Sequence, residues 1–271
     1  MFPTQGRPAA ILADATSLWV TEDEAGTVAR LSASIGKQVW RTKVCKAPVA
    51  LARASGVLWI VCSLDNSVAR VDAASGRLLG RTKVGGDPVD VTIGFGSAWI
   101  ANLKDKTVTR VDLRTARAVA TTKVADGVVR VSAGKTAVWV TGETNTLNRI
   151  DPRTNRVGGS PVTVGDGPLG VDATSDLVWV AVENASQIVG IDPAFAAPRG
   201  PYAVGSQPAE IAVGGGRVWV TRTQAQSIGV FDLGTNAQSN VAIGATPSRM
   251  AWSGSALWVA AVDPDELLRL T

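Results

Sequence analysis

The chain has 271 residues, with 27 Lys and Arg against 23 Asp and Glu, a net charge of +4, and no histidine. The positive excess is scattered, with no basic cluster interleaved with aromatics, which argues against a nucleic-acid partner. No apolar run approaches the roughly 18 residues needed to cross a bilayer, the first residues do not read as a signal peptide, and the commonest general base is missing throughout.

Seven tryptophans (Trp19, Trp59, Trp99, Trp139, Trp179, Trp219 and Trp258) are spaced 40, 40, 40, 40, 40 and 39 residues apart. So regular a period marks an internal repeat. The second copy reads most clearly. Pro48 opens it, Ser55-Gly56 makes a turn, and Val57 to Val61 forms the tryptophan strand. A loop at Asp65-Asn66, the run Val68 to Asp72, a turn at Ser75-Gly76 and a last run from Arg77 to Val84 complete it. Four short Val-, Leu- and Ile-rich runs bounded by Gly, Asn, Asp and Ser are strands, not helices. Four antiparallel strands per 40-residue unit predict a propeller blade. The chain is thus expected to be all-β, a seven-bladed β-propeller forming one domain over 1–271.

The other copies open in register at Pro8, Pro88, Pro168, Pro208 and Pro247, while the fourth has Val128 there. Its Gly158-Gly159-Ser160-Pro161 restores the register before Val164, and the fifth copy carries a Pro- and Ala-rich turn at Asp192 to Pro198. The last copy stops after its third strand, so Met1 to Thr4 is expected to add the fourth and close the ring. So short an outer strand leaves an open sheet edge and points to a natural chain that begins further upstream.

The seven indoles are expected between adjacent blades, and the Asp of the repeated Arg-[Val/Ile/Leu]-Asp is expected to cap the following turn. Function is sought where the copies differ. Side chains alternate along the innermost strand, so the second residue after each proline faces the channel mouth: Ala10, Ala50, Asp90, Arg130, Gly170, Glu210 and Arg249. The fourth residues, Leu12, Ala52, Thr92, Ser132, Asp172, Ala212 and Ala251, are mostly small, as a narrow channel requires. The residue three after each tryptophan is expected on the same face, which adds Glu22, Asn102 and Arg222. Two readings stay open for Asp90, Arg130, Glu210, Arg249, Arg222, Glu22 and Asn102. One is mutual neutralisation around a wet channel. The other is a site for a small polar or zwitterionic ligand, or for a peptide or protein partner.

Cys45 and Cys62, the two cysteines, both fall on the channel-mouth face. A disulfide between them is geometrically reasonable and would favour an oxidising compartment; two free thiols are the alternative. Two cysteines without histidine make a poor zinc site, and no metal or cofactor is expected.

Trp139-Val140-Thr141, the run Asn148 to Val157, and Val164 to Pro168 resemble the bacterial YVTN-type propeller repeat. Leu18-Trp19-Val20-Thr21-Glu22 is similar to a strand of the streptogramin B lyase superfamily. The likeness covers essentially the whole chain. The lyases are metal-dependent and use a histidine base, for which this chain has no counterpart, so Glu22 matches a motif position without its partner. Similar repeats occur in extracytoplasmic domains of bacterial receptor-type Ser/Thr kinases. That resemblance implies a non-catalytic sensor domain outside the cytoplasm, fused upstream to a transmembrane helix and kinase, and monomeric as an isolated domain. A metal-dependent lyase and a protein-binding scaffold are the alternatives.

Overall fold

The computed structural model describes all residues from 1 to 271. They form seven antiparallel sheets arranged as a ring, numbered here as blades 1 to 7, with one 3₁₀ turn at Ser63–Asp65 as the sole helical segment. The innermost strands are Pro8–Ala13, Pro48–Ala54, Pro88–Gly94, Arg130–Ala133, Pro168–Ala173, Pro208–Gly214 and Thr246–Trp252. Within blades 1 to 6 the chain steps outward strand by strand, and blade 7 does so for three strands. The exception is blade 4, whose outer strand is broken into Arg156–Val157 and Val162–Thr163. Both pieces pair with the same neighbour, Thr146–Asp151. The Gly-Gly-Ser-Pro insert lies between them, because proline and paired glycines cannot continue a ladder.

Each periodic tryptophan is almost fully buried and packs on the second strand of the next blade. Trp19 meets Leu58 and Ile60, Trp59 meets Ala98 and Ile100, and Trp99 meets Val138 and Val140. The series continues round to Trp258, which packs on Leu18 and Val20 of blade 1 and so closes the core into a circle. Cross-strand from each indole stands an arginine in five blades, as in Trp19↔Arg30, Trp59↔Arg70 and Trp99↔Arg110. The aspartates two residues later accept backbone N–H groups of the next turn, Asp72 from Ala74 and Ser75 and Asp151 from Arg153 and Thr154.

The chain ends meet as the sequence predicts. Phe2–Pro3 pairs with Leu267 and Glu266 as the outer strand of blade 7. Phe2 stacks on Trp258 with ring centres 5.7 Å apart. Cys45 and Cys62 are joined, with Cα atoms 5.8 Å apart and 17 residues of separation.

Candidate functional site

In six blades the innermost strand slips register directly after its opening residues, as between Pro88 and Asp90 or Pro247 and Arg249. A bulge at this place bends the strand and re-aims the following side chain. It also frees a backbone N–H. In blade 6 a threonine on the neighbouring strand takes that N–H, Glu210 N donating to Thr221 Oγ1 at 2.8 Å; in blade 4, where the pairing runs without a slip, Arg130 N donates in the same way to Thr141 Oγ1 at 3.1 Å.

Four of the seven expected site residues meet. Arg130 donates through Nε and Nη2 to Glu210 Oε1 at 2.9 and 2.7 Å. Arg249 Nη1 donates to Glu210 Oε2 at 3.0 Å and stands 3.8 Å from Asp90 Oδ1. These side chains are only 12–21% exposed. They come from blades 6, 4, 7 and 3, so the network spans the channel.

The two acids respond to burial differently. Burial pushes the Glu210 carboxyl up, but Arg130 and Arg249 together overcome it and hold the group below its ordinary value. Burial dominates at Asp90 and raises it despite Arg249, Arg130 and the Val131 N–H, with Glu210 adding repulsion. Arg130 is raised: burial works against its charge, and Glu210 and Asp90 outweigh it. These are the expected opposed effects of desolvation and partner charge.

The quartet stands at one end of a central cavity of about 440 Å³. Aliphatic side chains such as Ile11, Leu51, Val171 and Met250 line most of it, and Trp252 lies towards the other end. Trp252 stacks on Trp219 over Gly214, where a Cβ would fall 2.3 Å from the indole. A third acid, Asp172, also lines the cavity. Its Oδ2 accepts the Val213 N–H at 2.8 Å, and no cation stands beside it, so burial raises its carboxyl. Three carboxyls therefore face two guanidinium groups in the lining. Sequence reasoning placed Asp172 on the channel but did not single it out; the sign imbalance among Asp90, Arg130, Asp172, Glu210 and Arg249 was the available signal.

The inner strands are also laced to one another. Asp90 accepts from Val131 N, Thr92 from Ala133 N, Ser132 from Ala173 N and Asp172 from Val213 N, each pair 41 residues apart.

Glu22, Asn102 and Arg222 do not join the cavity, contrary to expectation. Glu22 is buried and accepts from Thr27 and Arg41 of its own blade. Asn102 donates to Thr107 and Thr109. Arg222 donates to Asn240. A side chain on a second strand projects perpendicular to its sheet, hence into the gap between blades, while the channel runs along the sheet's inner edge.

No group of three or more His, Cys, Asp or Glu side chains is placed to hold a metal ion, and no helix is long and apolar enough to cross a membrane.

The fold and this site define a seven-bladed propeller with a charged central cavity. No protein-family model matches the chain, and no curated protein matches it by sequence. Among solved structures it resembles a chain of Kuenenia stuttgartiensis hydrazine synthase, with TM-score 0.85 and 16% identity over 98% of this chain and 97% of that one. It also resembles a streptogramin B lyase structure, with TM-score 0.84 and 17% identity over 100% and 96%. The WD40 domain of Neurospora crassa Pan2 follows at 0.79 and 12%, over 98% and 91%. At these identities the likeness is one of fold.

Proposed function

We propose that the chain is a recognition propeller whose central cavity binds a small polar ligand carrying a positively charged group. The observation that carries this reading is Asp172, a half-buried carboxyl with no cation of its own in the cavity that also holds the paired quartet. A ligand ammonium would supply the missing charge, and the aliphatic walls would hold a short apolar body. Covalent catalysis has little to work with, since the lining holds no Ser, Thr, Cys, Lys or Tyr. An enzyme reading would have to use Asp172 or Asp90 as an acid, their raised carboxyls being the features in favour. The Cys45–Cys62 bridge supports placement outside the cytoplasm, where such a domain would act as a sensor.

Met250 lines the cavity, and the chain's other methionine is Met1. Methyl-labelled methionine therefore gives a direct readout. Titration with n-butylamine and with glycylglycine should shift the Met250 methyl saturably and leave Met1 unmoved. Asp172→Asn should remove the shift. A Met250 signal that stays still at high millimolar concentrations of both compounds would discard the reading.

A further inference from the structure

At the opposite end of the propeller from the charged quartet, a pocket of about 320 Å³ opens between blades 2 and 3. We propose that it is a second binding site, specific for a small carboxylate with a short aliphatic chain.

The argument rests on a comparison of three equivalent positions. In blade 1, Arg30 donates through Nε and Nη2 to Ser17 Oγ at 3.1 and 2.9 Å, and Trp19 Nε1 donates to Ala73 O at 3.2 Å. In blade 3, Arg110 Nε donates to Ser97 Oγ at 2.8 Å and Nη1 to Pro152 O at 2.6 Å, while Trp99 Nε1 donates to Gly94 O at 3.1 Å. In blade 2 the residue at the place of Ser17 and Ser97 is Val57. There Arg70 Nε and Trp59 Nε1 are both buried and find no acceptor on the chain. Trp59 is 1% exposed. Arg70 lies over its indole, 5.9 Å from the ring centre, and makes no ion pair with any acid.

Both residues line the pocket, and so does the exposed Arg114; no Asp or Glu does. Two buried donors and a second guanidinium thus share one space without a negative group. Leaving buried donors unmet costs their full desolvation, and an oxyanion restores it. A carboxylate suits the planar guanidinium fork. Ala54, Val57 and Leu113, with Ser55 beside them, form the remaining wall, which is mostly apolar and fits an aliphatic tail better than the fully hydrated surface of phosphate or sulfate.

The nine tryptophans each give one indole N–H signal. Trp59→Phe identifies that of Trp59. Sodium butyrate, added at constant ionic strength, should shift the Trp59 signal saturably, with the other indoles and the Met250 methyl unmoved. Acetate should bind roughly tenfold more weakly, having two fewer methylenes to bury. Val57→Ser restores the acceptor that blades 1 and 3 already carry, so that variant should fold as the parent does and bind butyrate at least about tenfold more weakly. Arg70→Met should abolish the shift. An unmoved Trp59 signal, an equal response to butyrate in Val57→Ser, or a stronger response to inorganic phosphate than to butyrate would each overturn the assignment.

Discussion

Arg130 and Glu210 stand 80 residues apart, two blades round the ring, yet both Nε and Nη2 of the arginine donate to one carboxylate oxygen, Oε1. The second oxygen is thereby left free for Arg249. Blade 5 lies between the two partners, and its corresponding residue is Gly170, so nothing intervenes.

Removing one member of this group should be worse than removing a matched pair. Glu210→Gln takes the hydrogen-bonded anion from Arg130 and leaves Arg249 with Asp90 alone, 3.8 Å away, and is expected to cost about 3–5 kcal/mol. The joint replacement Arg130→Met with Glu210→Leu should cost distinctly less. Urea unfolding of the three proteins measures both. Equal losses would mean that the ion pair is not a coupled unit.

The pH dependence of stability should run in opposite directions at two carboxyls. Glu210 is held below its ordinary value of 4.5 in the fold. Its contribution is therefore present above that value and is lost as pH falls through the lowered one. Asp172 is raised above 3.8. Its contribution is complete below 3.8 and is lost as pH rises through the raised value. Compared with the parent, Asp172→Asn should thus gain stability from acid towards neutral pH, while the deficit of Glu210→Gln should shrink in acid. Denaturant curves across this range test both signs.

Reduction should be felt as lost stability. The Cys45–Cys62 bridge closes a loop with 17 residues of separation, which corresponds to about 3 kcal/mol of chain entropy. For a chain of this size that lowers the melting temperature by roughly 5 °C. Calorimetry of Cys45→Ser with Cys62→Ser measures it, and an unchanged melting temperature would contradict it.

Gly170 should tolerate no side chain. A Cβ there would lie 2.7 Å from Ala209 O, 2.8 Å from Ile211 N and 2.9 Å from Glu210 Cα. Gly170→Ala must push the inner strand of blade 6 aside, at a cost of about 1–3 kcal/mol. It should also weaken the Arg130 contact, making a further Glu210→Gln change less costly than it is alone. Thermal unfolding of the single and double variants reads both effects.

The ring was legible because one indole per 40 residues can be buried in only a few ways. Asp90, Arg130, Glu210 and Arg249 followed from counting along a strand that borders the channel. Glu22, Asn102 and Arg222 did not follow from the same count. They share an end of the molecule with the quartet, but their sheet faces turn them towards Arg41, Thr109 and Asn240 within their own blades. The role of Thr141 and Thr221 was hidden, because it depends on which backbone N–H groups the local strand pairing leaves for a hydroxyl. Val57 could not be picked out in the sequence, because its place in the repeat is variable: Ser17, Ser97, Ala137, Leu177, Arg217 and Ala256 stand there in the other copies. Its meaning emerged only when Arg30 and Arg110 showed what the serine does.

The side chains that accept a backbone N–H from the next inner strand occupy one arc, from Asp90 through Ser132 to Asp172 and Val213, while Ser248 Oγ donates to Pro8 O between blades 7 and 1. At the equivalent places in blades 1 and 2 stand Ala10, Leu12, Ala50 and Ala52, which offer no acceptor. Blades 1 and 2 are fastened differently, by the Arg53–Asp14 ion pair, Trp19 Nε1 on Ala73 O and Thr42 Oγ1 on Gly76 O. A force that pries the molecule apart must therefore break backbone-anchored bonds along the channel in one half and an ion pair with side-chain bonds in the other, so only the second half should loosen as salt is added.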